Sequence, residues 1–227
     1  MLPMDNAVGR RTVWDVLTLL KQVPLSVYFF PVVAAAVAYF LLGTAVWLVV
    51  TPIWKELAGE WDVVGKFIAL LAWIVAFPVV YNLLLSLVVG IAFDPLATYI
   101  DQLLHVNAQK VIPITQQWID GFQRFAFLVF LQGIAFMVGL AVPVVGLVIS
   151  GAASVVSAII VITTPAFVHR GVRFSSHLRI VTCKIHVREV LFGIVAAVLL
   201  NNPLLHVIML VPLIVIGQLL TQKWLTD

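Results

Sequence analysis

Three residues, Asn201-Asn202-Pro203, interrupt an uncharged run that extends from Leu191 to Leu220. Asn202 has the side chain to cap a following helix, and Pro203 fits that helix's first turn. A helix starting there would set its positive dipole end at membrane depth, where negative charge is favoured. His206 follows within the first turn, and Arg170 and Arg173 lie upstream as cations able to gather anions. A plainer reading stands beside this one: the triplet only ends one helix and caps the next, and His206 bonds a neighbouring carbonyl.

Other chemistries find little support. No nucleophile, base and orienting acid stand in motif spacing, and no glycine-rich phosphate loop is present. Asp94, Asp101 and Asp120 lack the intervals of metal ligands. His169, His177 and His186 fall eight and nine residues apart, which is not a helical ligand spacing. Cys183 is the single cysteine, so no internal disulfide can form. No enzyme activity, catalytic residue, metal or cofactor is expected.

The elements that must carry these residues are membrane helices. Of 227 residues, 63% are apolar and only 10% charged, and the mean hydropathy is +1.15. Soluble domains carry roughly 25% charged residues. The formal charge of +3 is modest and its cations are clustered, a pattern that addresses lipid headgroups and topology rather than nucleic acid. The predicted class is an all-α polytopic membrane protein. It has two long spanning helices and two short, partly inserted (re-entrant) helical hairpins, all in a single domain over residues 1–227.

Residues 1–24 read as an amphipathic interfacial segment. Asp15 and Thr18 interrupt its apolar run, so no cleavable signal peptide is expected. Two long helices occupy 25–105. The first is centred on the uncharged run Pro31 to Val50, and the second runs from Phe67 to Phe93 with a kink at Pro78 and Asn82 as packing contact or pathway residue. Asp94-Pro95 reads as an N-cap with proline at the first helical position. A first short hairpin spans 124–165, broken at Pro143 and ending at Thr163-Thr164-Pro165. Each arm rises about 27–29 Å, so the pair either just spans or is re-entrant. Gly146, Ser150, Ser154 and Ala158 repeat every fourth residue on its second arm, a small-residue stripe for helix packing.

A basic interfacial helix over 169–190 presents Arg179, Lys184 and Arg188 to lipid. It and the N-terminal cations are the cytoplasmic markers, so both termini are expected inside. The final hairpin, 191–220, is re-entrant because an arm of about ten residues falls short of the roughly 20 needed to cross. Its turn requires a surrounding bundle or a wet cavity.

The order Pro165, Arg170, Phe174, Phe192-Gly193, Pro203-Leu204-Leu205, Pro212 and Gly217 resembles the C-terminal part of the CysZ-type sulfate permeases and the wider etoposide-induced protein 2.4 family. The segment IAFDPLATYIDQLL is similar to the stretch that follows that family's second long helix. The resemblance covers most of the chain, and its specificity lies in the order and spacing of short motifs. It implies the two-helix, two-hairpin architecture, a homo-oligomer in the bacterial inner membrane, and passage of a small anion such as sulfate for cysteine synthesis. Asn201, Asn202, His206, Arg170 and Arg173 would then line the pathway. The family's Gly and Arg pattern before the first long helix has no counterpart in residues 24–31. A non-transporting scaffold that binds anionic lipid and partner helices is the competing expectation. Thr164 also stands where the family places an Asp.

Overall fold

The computed structural model describes residues 93–104 and 112–226 throughout, with individual positions between 18 and 52. The second long helix and the loop before it, expected over 55–92, lie outside the described residues, as does most of the N-terminal segment. Within the first expected span, the described positions Val33, Val37, Phe40, Leu41, Gly43, Thr44, Trp47 and Leu48 are all helical.

Six helices follow: α1 (Asp94–Leu103), α2 (Ile114–Ala141), α3 (Pro143–His169), α4 (Phe174–Lys184), α5 (Val187–Asn201) and α6 (Pro203–Thr226). No strand occurs among the described residues. Three helices, α2, α3 and Ile208–Leu225 within α6, are long and apolar enough to cross a membrane.

The α2–α3 hairpin turns on one residue. Pro143 has no N–H and forces its predecessor out of the helical region, and Val142 is accordingly extended at φ −139°, ψ 91°. The two backbones meet at once, because a Cβ on Gly146 would collide with the Gly139 Cα and nitrogen. The first residue of the small-residue stripe thus serves the hairpin's own closure, while Ser150 and Ser154 are half-buried and Ala158 is buried in the core.

The arms are longer than the sequence pattern suggested. With 28 and 27 residues, each rises about 40 Å or more at 1.5 Å per residue. Thr163-Thr164-Pro165 does not end α3, which continues to His169. Proline is accommodated there because residues 157–168 are buried on every side, and tertiary packing holds the helix together. The Thr163 and Thr164 hydroxyls also donate back to the Ile159 and Ile160 carbonyls, each at 2.6 Å. A left-handed Gly171 (φ 71°) then closes the helix, with Val172 N–H bonding the Phe167 carbonyl.

The basic segment 169–190 is not one helix. His169 and Arg170 close α3, α4 is a separate element, and an extended Ile185-His186 elbow starts α5. A reciprocal capping box fixes that elbow: the His186 side chain accepts the Glu189 N–H while the Glu189 carboxylate accepts the His186 N–H. Arg179 and Lys184 belong to α4, and Arg188 to α5.

α5 and α6 form the second hairpin, turning at Asn202. Asn202 Oδ1 accepts the Leu205 N–H at 3.2 Å, the cap expected there. The inner face of α5 (Gly193, Ala196, Ala197, Leu200) packs on the core, and its outer face (Val187, Leu191, Ile194, Val195, Val198) is exposed. Gly193 and Gly217 let both helices close on α3. A Cβ on Gly193 would meet Val155 and Ile159 side-chain atoms at 2.7–2.9 Å, and one on Gly217 would strike the Ile162 carbonyl. α3 is therefore the axis of the bundle, flanked by α2, α5 and α6, with Leu96 and Ile100 of α1 sealing its C-terminal half.

Candidate functional site

Both hairpins open at the same end. α4 joins them there, α1 covers them, and a layer of buried charge lies between. Two pairs share α1 and the end of α3: Arg170 Nη2 donates to Asp101 Oδ1 at 2.7 Å, and His169 Nδ1 lies 2.9 Å from Asp94 Oδ1. Nε2 of the same imidazole sits 3.8 Å from the second Asp101 oxygen. Asp101 is 2% exposed. Gln218 of α6 completes the attachment of α1 by donating to the Ala97 carbonyl.

On the other side of α3, Asp120 and Arg124 are buried one helical turn apart on α2. The Arg124 guanidinium carbon lies 5.7 Å from the centre of the Phe174 ring, a cation–π arrangement. Phe174 and Phe167 flank His177, which is fully buried. The His177 tautomer follows from its partner. Thr163 spends its hydroxyl proton on the Ile159 carbonyl, so the Thr163 oxygen accepts from His177 Nε2 at 2.9 Å. Nδ1 is then the bare nitrogen, buried without a partner. Burial pushes the His177 pKa well below the ordinary imidazole value, and the Arg124 charge pushes it the same way. The third pair, Lys223 Nζ to Glu189 Oε1 at 3.2 Å, ties α6 to α5.

The expected pathway residues are not gathered in one place. Asn201 and Asn202 are exposed at the tip of the second hairpin, with the Asn202 oxygen occupied as a cap. Arg170 and Arg173 lie beyond the opposite end of α5, which is itself about 22 Å long with its 15 residues. The His206 side chain lies outside the described residues. Arg173 is exposed at the start of α4. Arg170, rather than reaching outward, commits one nitrogen to Asp101 and buries its Nε and Nη1 without acceptors. Arg179 and Arg188 are exposed and Lys184 half-buried, which suits contact with headgroups.

Sequence reasoning missed Asp101, Asp120, Arg124, His177, Glu189 and Lys223 as one layer. One signal was available: ionisable residues inside or bordering apolar helices are costly unless they pair. Among the described residues, no group of three or more His, Cys, Asp or Glu side chains could hold a metal ion.

No protein-family model, curated protein or solved structure matches this chain.

Proposed function

We propose that the chain is an integral membrane protein of CysZ-like build that passes a small oxyanion, with sulfate the species its sequence resemblance suggests. One observation carries this reading: the Arg170 guanidinium is buried with Nε and Nη1 unaccepted, inside a bundle whose exterior is apolar. Buried guanidinium N–H groups are costly without acceptors, and the oxygens of a small oxyanion are acceptors suited to them. Arg170 would be the recognition residue, Arg173 the exposed collector, and the Asn201–Asn202 turn a separate point deeper in the membrane. On this reading α5 and the start of α6 form a re-entrant hairpin, and copies of the chain assemble in the membrane.

Labelled sulfate uptake into liposomes holding the purified protein tests the proposal. Arg170→Lys keeps a charge for Asp101 but removes the Nε and Nη1 donors, so uptake should fall at least about tenfold while the protein stays folded, as expected for loss of charge-assisted hydrogen bonds to the anion. Wild-type flux no greater than that of empty liposomes would sink the transport reading.

The scaffold reading is favoured by a different observation. Arg179 and Arg188 are exposed, a basic face for anionic lipid, and the apolar face of α2 with Trp118, Phe122, Phe130, Phe136 and Leu140 is open to lipid or to a partner helix. Crosslinking in native membranes separates the two readings: a stable heteromeric partner on α2 supports the scaffold, and self-crosslinking alone leaves transport.

A further inference from the structure

His169 holds the position in the buried layer where protonation state changes the charge balance. Its two ring nitrogens each face a carboxylate of α1, Nδ1 at hydrogen-bond distance from Asp94 and Nε2 at ion-pair distance from Asp101. A neutral imidazole carries one N–H and one lone pair, so one of these contacts would set a lone pair against a carboxylate. An imidazolium satisfies both. The same count holds over the whole layer: Asp94, Asp101, Asp120 and Glu189 face Arg124, Arg170 and Lys223, and the acids are matched only when His169 is cationic.

We propose that His169 is a proton-operated fastener, which as imidazolium bridges Asp94 and Asp101 and clips the first turn of α1 to the end of α3, and on losing its proton releases that turn.

The groups facing His169 define how far the release extends. From α1 they are Asp94 and Asp101. Beside it at the end of α3 is Arg170, already bonded to the other Asp101 oxygen. From α6, the residue reaching α1 is the neutral Gln218, through Ala97. Asp94 is 47% exposed, so water can take over from the imidazole there at little cost. Asp101 is buried and keeps Arg170. Deprotonation therefore turns the Asp94 ion pair into an ordinary hydrogen bond that water can replace, and loosens the Asp94 end while the Asp101–Arg170 pair and the Gln218 bond hold the rest of α1 as a hinge. The device stands whether or not the bundle transports an anion, because it rests on the contacts of α1 alone.

Amide hydrogen exchange of the whole protein in lipid nanodiscs reads it directly, at about pH 5.5 and about pH 9, either side of the ordinary imidazole value of about 6.5. Rates are compared after correction for intrinsic chemical exchange. In the wild type, peptides covering the first turn of 94–103 should exchange about tenfold faster at the higher pH, as for loss of one hydrogen bond between charged groups, while those of α3 and α6 stay protected. His169→Gln should exchange fast at both values, and His169→Arg slowly at both. Equal corrected rates at the two pH values in the wild type would overturn the proposal. So would a His169→Gln protein that keeps the wild-type response. If His169→Arg fails to keep α3 and α6 protected, the wild-type and His169→Gln measurements decide the matter by themselves.

Discussion

Gly217 shows how a single residue decides the distance between two helices. A Cβ there would strike the Ile162 carbonyl and crowd the Thr163 nitrogen, and these are backbone atoms that cannot swing aside. Gly217→Ala should lower stability by about 1–3 kcal/mol, the range for overpacking, read as an earlier unfolding transition in detergent. Gly133→Ala is the control: nothing lies within 4 Å of its Cβ position, so no loss is expected. His177 gives a second test. The folded protein resists protonating this imidazole, whereas the unfolded chain takes the proton near pH 6.5, so stability is unaffected above that value and is lost as the pH falls below it. The slope is about 1.4 kcal/mol per pH unit. Chemical unfolding of wild type and His177→Gln at a series of pH values from about 7.5 down to about 5 should show a steeper decline for the wild type. Parallel curves would contradict the assignment. Neither role was legible in the sequence. Gly217 stood out there only as part of a family pattern, and His177 looked like one of three histidines at unhelpful intervals, because what defines it is a threonine on another helix.

Helices and turns were read more successfully where chain chemistry is local. The breaks at Pro143 and at Asn202-Pro203 follow from a missing N–H and a side-chain cap, and both are hairpin turns. The end of α3 was misread for a tertiary reason: Pro165 reads as a stop, but burial and two threonine hydroxyls carry the helix past it. Asp94 was misread likewise. It opens α1 without capping it, and its carboxylate goes to His169. The pairing within the charged layer is not legible in the sequence because its partners are remote, 75 residues apart for Asp94 and His169 and 69 for Asp101 and Arg170. Removing one partner of the second pair should therefore have an element-wide effect. Arg170→Ala strands Asp101 in the core at a cost of about 3–5 kcal/mol, whereas replacing both residues by apolar ones of similar volume restores most of the loss. The double variant Asp101→Leu/Arg170→Met, compared with each single change by thermal unfolding, checks this. A double variant no more stable than Arg170→Ala would mean that α1 is held by something else.

At the scale of the whole molecule, the two hairpins differ in reach, and the difference yields a topology that can be measured. Both open at the charged end. Gly193 lies level with Val155 and Ile159 of α3, and from that level α5 runs nine residues to its turn while α3 runs about fifteen back to Val142. For parallel axes the second tip stops about 9 Å short of the first, at 1.5 Å per residue. The arms of α2 and α3, at about 40 Å, exceed the roughly 30 Å hydrocarbon thickness, whereas α5 at about 22 Å does not. With the Val142 tip at the far interface, the Asn202 tip stops about 9 Å inside it, and the charged end of α3 extends into the headgroup region on the near side. Single cysteines in a Cys183→Ser background distinguish the two, since Cys183 is itself exposed and would react. With a membrane-impermeant maleimide, Ser176→Cys on α4 should label from one face only and Val144→Cys from the opposite face. Asn202→Cys should label from neither, yet react once detergent admits the reagent. Labelling of Asn202→Cys from the same face as Val144→Cys would make the second hairpin a full crossing, and the dipole end at its turn would then meet water rather than lie at membrane depth.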